Sequence, residues 1–223
     1  MSSFLSEEEN NFYLNEGYLV RENQFNAEEV DSLRDALERA VDSAQEKAIE
    51  GKVYYLDKKK FIDVGYMTLQ YEPKPSENIL RVIEPAHILD EQLHSLTRDK
   101  RITNPVRSIL NEDEISLWTD KLNLKRPGGG LGFGWHQDSP YWIHDSKNID
   151  LLPNVYLSLD DADEGNGCFR VIRASHKEGC LPGTENGTQL GGFYTDPNCF
   201  NVSDAVNLSI PAGSLVFFNQ HIV

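Results

Sequence analysis

Two side chains able to bind a metal ion stand two residues apart in the stretch GFGWHQDSPYW: His136 and Asp138. An imidazole and a carboxylate are two members of the facial set of two histidines and one carboxylate. That set holds non-haem Fe(II) and leaves positions open for a cosubstrate and oxygen. In an extended segment, residues i and i+2 project to one face, so this spacing would aim both side chains at one ion and send Gln137 the other way. Taken alone, His-x-Asp is a weak motif, and its commoner explanation is an exposed histidine with an aspartate capping the turn before Pro140. Its surroundings add weight. Trp135 before it, the glycines from Gly128 to Gly134 approaching it, and Ser-Pro-Tyr-Trp after it would supply a dry wall and a flexible entrance. The other histidine in question is His221, in the strand-like run SLVFFNQHIV at the end of the sequence.

The elements that must position these residues change character along the chain. Asn26, followed three residues on by Glu29 and then by Val30, Leu33, Leu37 and Val41 at helical spacing, predicts a capped amphipathic helix over 25–48. A second helix is expected over Pro85 to Asp99, with proline in its first turn and Leu89, Leu93 and Leu96 repeating, and a shorter one around PVRSILN. From Ile115 onward the pattern becomes alternation and turn residues. Strands are expected in SLWTDKLNLKR, NVYLSLDD, CFRVIRAS, AVNLSI and SLVFFNQHIV, with turns at RPGGGLGFG, DEGNGC and PAGS. Helices first and strands later give an α+β chain with a mainly β core. We read one domain over 1–223, with a helix-rich part over 1–112 and an antiparallel sandwich or barrel over 113–223.

Bulk properties narrow the function. A formal charge of −15 with no basic run repels a phosphate backbone, so nucleic acid is not an expected partner. The N-terminus lacks the basic and apolar segments of a signal peptide, and no apolar run approaches spanning length. The expectation is a cytoplasmic protein without membrane association. Cys168, Cys180 and Cys199 are an odd number at irregular spacing and read as reduced thiols, which makes the sequons at Asn186, Asn201 and Asn207 chance matches. The glycine cluster does not satisfy the dinucleotide fingerprint, and no G-x-S-x-G elbow occurs. It reads better as a hinged loop.

Three stretches in the right order, GFGWHQDSPYW, NVYLSLDDADEGNGCFRVIRASHKEG and IPAGSLVFFNQH, resemble the phytanoyl-CoA dioxygenase family of Fe(II)- and 2-oxoglutarate-dependent oxygenases. The early NEGYLVRENQFNAEEVDSLRDALE is similar to that family's opening strand and helix. The resemblance implies a double-stranded β-helix, a cupin-like jelly roll, with N-terminal helices packed on it. It implies His136 and Asp138 as iron ligands, and Tyr156, Arg81 and Lys121 as residues contacting 2-oxoglutarate. The implied reaction consumes O2 and 2-oxoglutarate, hydroxylates an aliphatic carbon of a small molecule or of an acyl group carried as a thioester, and releases succinate and CO2. Related halogenases replace the ligand carboxylate by a small residue; Asp138 is kept, which disfavours halogenation.

The resemblance also bears on His221. Matching Phe217 and Phe218 to the family pattern places its second histidine immediately after Val223, so His221 falls three residues early and remains a fallback ligand. The closing strand of the jelly roll is then expected to be incomplete within these residues. The competing reading is a non-catalytic jelly-roll binding module, or an oxygenase relative with a deficient metal site. His176 reads as a structural histidine, His144 as a loop residue, and His87 and His94 carry no role.

Overall fold

The structure, a computed structural model, describes residues 4–126, 131–185 and 187–223. The sequon asparagine Asn186 and part of the glycine-rich loop lie outside them. In chain order the elements are α1 (Glu7–Glu16), β1 (Tyr18–Arg21), α2 (Ala27–Ala48), β2 (Lys52–Leu56), β3 (Lys59–Val64), β4 (Met67–Tyr71), β5 (Leu80–Glu84), α3 (Glu91–Leu96), α4 (Lys100–Leu110), β6 (Leu122–Asn123), α5 (Ser139–Trp142), β7 (Asn154–Leu157), β8 (Phe169–Ile172), β9 (Ala205–Leu208) and β10 (Leu215–Phe218). They fall into two compact units interleaved along the chain: one takes Met1–Val30, Lys100–Ile115 and Gly134–Val223, the other Asp31–Asp99 and Ser116–Phe133. Among the described residues every strand pairing is antiparallel, which makes the chain α+β as expected.

The unit built on Asp31–Asp99 and Ser116–Phe133 contains one sheet in the order β2-β3-β4-β5-β6. Its inward residues Ile62, Leu69 and Ile83 pack with Val41 and Ala44 of α2, the apolar stripe read from the sequence. The cap of that helix is also as expected: Asn26 Oδ1 accepts from the Glu29 amide at 3.0 Å, and Glu29 returns the bond to the Asn26 amide at 2.9 Å.

Two expectations change, and one gains detail. The part over 1–112 holds α1 to α4 and, beside them, β1 to β5. The β2–β3 hairpin turns through Asp57 (φ 48°) and Lys58 (φ 67°), a left-handed pair that matches strand twist but here contains no glycine to signal it. The helix expected over Pro85 to Asp99 begins only at Glu91, because the Asp90 carboxylate accepts from the amides of Gln92 (2.8 Å) and Leu93 (3.4 Å) and so caps the helix later than the proline suggested. The alternating SLWTDKLNLKR contributes only the two residues of β6. The stretch before them is tied by side chains instead: Asp120 accepts from the amides of Ala86 and His87, and Thr119 donates to Glu84.

The unit that carries His136 and Asp138 contains a three-stranded sheet, β1-β10-β7, and a two-stranded one, β8-β9. The central strand β10 is wholly buried at Leu215, Val216 and Phe217. A core of Tyr18, Val171, Leu208, Ile210, Val216 and Ile222 gathers around it. Gly213 leads into β10 at φ +82°, and a Cβ there would lie 2.2 Å from the carbonyl oxygen of Phe25, so only glycine fits.

Candidate functional site

His136 and Asp138 do converge, though not by simple strand alternation. His136 makes a single bridge with Tyr194, and the chain then turns into α5, with Asp138 at the helix's first boundary in right-handed conformation. The turn brings His136 Nε2 to 3.7 Å from Asp138 Oδ1. His136 Nδ1 lies 2.7 Å from the carbonyl oxygen of Gly134, which can only accept. Nδ1 therefore carries the proton, and the Nε2 lone pair faces the carboxylate. Two donors held by one ion at about 2.1 Å each can stand at most roughly 4.2 Å apart, so the pair fits a shared metal ion.

The wall beside the pair is aromatic. Tyr141 of α5 meets the His136 ring edge-on with centroids 6.1 Å apart and stacks nearly parallel on Phe193 at 4.4 Å. A Cβ on Gly134 would come within 2.9 Å of the Tyr194 ring, which gives one glycine of the approach a steric reason. Trp135, two residues before Gln137, contacts Phe200 at 5.8 Å and lies under the Arg170 guanidinium at 4.9 Å. Phe193 and Tyr194 are about 60 positions downstream of His136, and the sequence reading did not single them out. The surrounding run QLGGFYT mixes glycine and aromatics, the one signal that could have marked a close-packed strap.

Gln137 points away from the pair, as alternation suggested, and is fully buried. Its amide nitrogen donates to the carbonyls of Gly179 (2.8 Å) and His221, and its amide oxygen accepts from the Leu181 amide at 2.7 Å.

His221 does not complete the pair. It lies beyond the end of β10, in a turn in which Asn219 Oδ1 accepts from its amide at 2.9 Å. Its Nδ1 accepts from the Ser139 hydroxyl at 2.9 Å, and its Nε2 donates to Asp150 Oδ1 at 2.8 Å. Both ring nitrogens are thereby committed, with no lone pair left for a metal. Among the described residues, no group of three or more His, Cys, Asp or Glu side chains is placed to hold a metal ion.

The residues expected at the cosubstrate have defined partners of their own. Tyr156 of β7 stacks on Phe169 at 5.8 Å and donates to Ser158 Oγ at 3.3 Å. Lys121 Nζ lies 3.9 Å from Glu84. Arg81 is buried and points its Nη1 at both oxygens of the buried Glu72, each at 3.0 Å. It also donates to the carbonyls of Leu131 (2.7 Å) and Gly132 (3.1 Å) and sits 3.9 Å over the Phe133 ring. That guanidinium organises its own surroundings. His176 is structural, as read: its Nε2 donates to the Leu14 carbonyl at the end of α1.

Comparison with known proteins adds an independent line. The family model for phytanoyl-CoA dioxygenase matches residues 13–223. A probable alpha-ketoglutarate-dependent hypophosphite dioxygenase of Stutzerimonas stutzeri is 31% identical over 165 residues, covering 74% of this chain and 51% of that protein. An ectoine dioxygenase of Bordetella parapertussis is 27% identical over 230 residues, covering 96% of this chain and 68% of that protein. The chain thus spans about half to two thirds of the length of these relatives. Among solved structures, apo EctD from S. alaskensis superposes with a TM-score of 0.73 at 22% identity, over 98% of this chain and 69% of that one, and so shares its fold.

Proposed function

The chain belongs to the phytanoyl-CoA dioxygenase family, and from that premise we propose that it is an Fe(II)- and 2-oxoglutarate-dependent dioxygenase acting on a small molecule. The reaction is R–H + O2 + 2-oxoglutarate giving R–OH + succinate + CO2. We assign the jelly-roll core of the family to the unit carrying His136 and Asp138. The observation that carries the reading is the geometry of that pair, with the Nε2 lone pair turned toward the carboxylate by the Gly134 carbonyl. Relatives that act as a probable hypophosphite dioxygenase and an ectoine dioxygenase support a small substrate.

In this reading His136 and Asp138 hold the iron, and Tyr156 contacts the cosubstrate. Bound Fe(II) with 2-oxoglutarate supplies O2 activation and C–H oxidation. The chain's own residues orient and shield. The Gly134 carbonyl fixes the His136 tautomer, and the Tyr141–Phe193 stack keeps one side of the imidazole from water. Asp138 would supply the anionic ligand, and its retention disfavours halogenation. Arg81, already engaged by Glu72, Leu131 and Gly132, serves to anchor that backbone. The competing reading, a binding module of the same fold, draws on one observation: the ligand set is two-membered among the described residues.

The test uses the full chain. Anaerobic Fe(II) with 2-oxoglutarate should give the weak visible charge-transfer band of this enzyme class, and admitting O2 should release succinate. His136→Ala should abolish the band. A folded wild-type protein that shows neither band nor succinate would leave the binding module as the answer.

A further inference from the structure

Gln137 sits between the two residues assigned to the iron and faces the opposite way, where its exposure falls to zero. A primary amide has two N–H donors and a carbonyl acceptor, and here all are used. The donors reach Gly179 and His221, the acceptor takes Leu181, and each partner is a main-chain group. One side chain therefore joins three segments distant in sequence. The same seam continues through the main chain: the amides of Asp138 and Ser139 both donate to the Gln220 carbonyl, at 3.1 and 3.0 Å. Buried amide networks of this kind hold one arrangement because breaking any bond leaves a desolvated polar group unpaired.

We propose that Gln137 is a positioning residue for the metal site, clamping the backbone between His136 and Asp138 to the Gly179–Leu181 loop and to the turn after β10. The inference rests on the reading of His136 and Asp138 as ligands. Free rotation about the backbone at 137 would swing the flanking side chains in opposite senses, so a fixed Gln137 sets their mutual spacing. The clamp also ties the pair to Gln220 and His221. Gln137 acts through the backbone and touches no reacting atom. Partners that orient ligands in this way typically contribute about 10- to 100-fold in metal affinity.

Co(II) is the probe, titrated into the metal-free full chain and followed by its visible d–d absorption, with thermal unfolding of the metal-free protein measured alongside. Gln137→Met keeps the length of the side chain and removes its bonds. Val30→Ala, a cavity in the same unit beside Gly213 and outside the segments that Gln137 joins, serves as a control for general destabilisation. Gln137→Met should weaken Co(II) binding by about 10-fold or more, while Val30→Ala lowers the melting temperature without changing the affinity. Unchanged Co(II) affinity in Gln137→Met overturns the clamp. If that variant does not fold, the wild type decides by amide exchange. Coupling is reciprocal, so Co(II) should slow exchange at Leu181, Asp138 and Ser139, and unaltered rates there overturn the clamp equally. Failure of the underlying reading looks different: wild type that does not bind Co(II), or His136→Ala that binds it as well as wild type.

Discussion

Two pairs of a basic side chain and a carboxylate, one in each unit, are built in opposite ways. Arg81 and Glu72 are both buried, and the guanidinium meets both carboxylate oxygens at 3.0 Å. His136 and Asp138 keep more exposure and stand 3.7 Å apart, beyond hydrogen-bond reach, with a lone pair facing an oxygen. Both contain groups that could serve a cofactor. The first turns its polar atoms on each other and on main-chain carbonyls, whereas the second turns a ring nitrogen and a carboxylate oxygen toward one point at a spacing that one ion could bridge. What marks a candidate metal site is therefore the convergence of two donors at a spacing one ion can bridge, and basic character or burial alone does not mark one.

The sharpest way to break this contrast is to remove one partner of the buried pair. Glu72→Ala leaves Arg81 charged and desolvated with only carbonyl acceptors, and should cost about 3–5 kcal/mol in a denaturant or thermal melt. A loss under about 1 kcal/mol would mean the pair is no more than a surface-like contact and that Arg81 is free for another role. The corresponding change at His136 gives up the Nδ1 bond to the Gly134 carbonyl and should cost only about 1 kcal/mol, while removing metal binding altogether.

His221 tests the middle of the range. It shares with His136 an apparent suitability as a ligand, yet both its nitrogens are answered. His221→Ala leaves the hydroxyl of the fully buried Ser139 without its partner, which should cost roughly 1–3 kcal/mol. The bond to Asp150 adds little, because the Asp150 side chain is 82% exposed. The charge-transfer band should survive. Its loss, with the protein folded, would return His221 to the ligand set.

These contrasts also show what was legible in the sequence. His136 and Asp138 are close in the chain, so their convergence needed only local geometry. The α2 stripe with its Asn26–Glu29 cap was readable for the same reason. The groups that decide what each polar side chain can do come from elsewhere: Leu181 and His221 for Gln137, Leu131 for Arg81, Phe193 for Tyr141. Spacing carries no trace of such pairings. Arg81 was assigned to the cosubstrate because a resemblance specifies a residue type, while Glu72, which changes its availability, belongs to no motif. The β2–β3 hairpin escaped notice because Asp57 and Lys58 adopt left-handed backbone without glycine.

The smallest expected effect concerns a group that is only half answered. His176 donates through Nε2 to Leu14, but its Nδ1 is buried with no partner and lies against Gly17, where a Cβ would come within 2.4 Å. Burial, foremost, pushes the imidazole below its usual pKa of 6.5, with Lys177 and His221 acting in the same sense and Leu14 and Glu16 against it. The folded protein thus binds fewer protons here than the unfolded chain. The stability contributed by neutral His176 is fully present above pH 6.5 and is lost as pH falls from there through the lowered folded value. Melting temperatures taken from pH 7.5 down to 5 should fall more steeply for wild type than for His176→Gln, which keeps a donor near Leu14 and cannot titrate. Parallel curves would show that the imidazole gains a proton in place at little cost. The distinction between answered and unanswered polar atoms would then carry no energetic weight at a site where the unanswered atom faces protein.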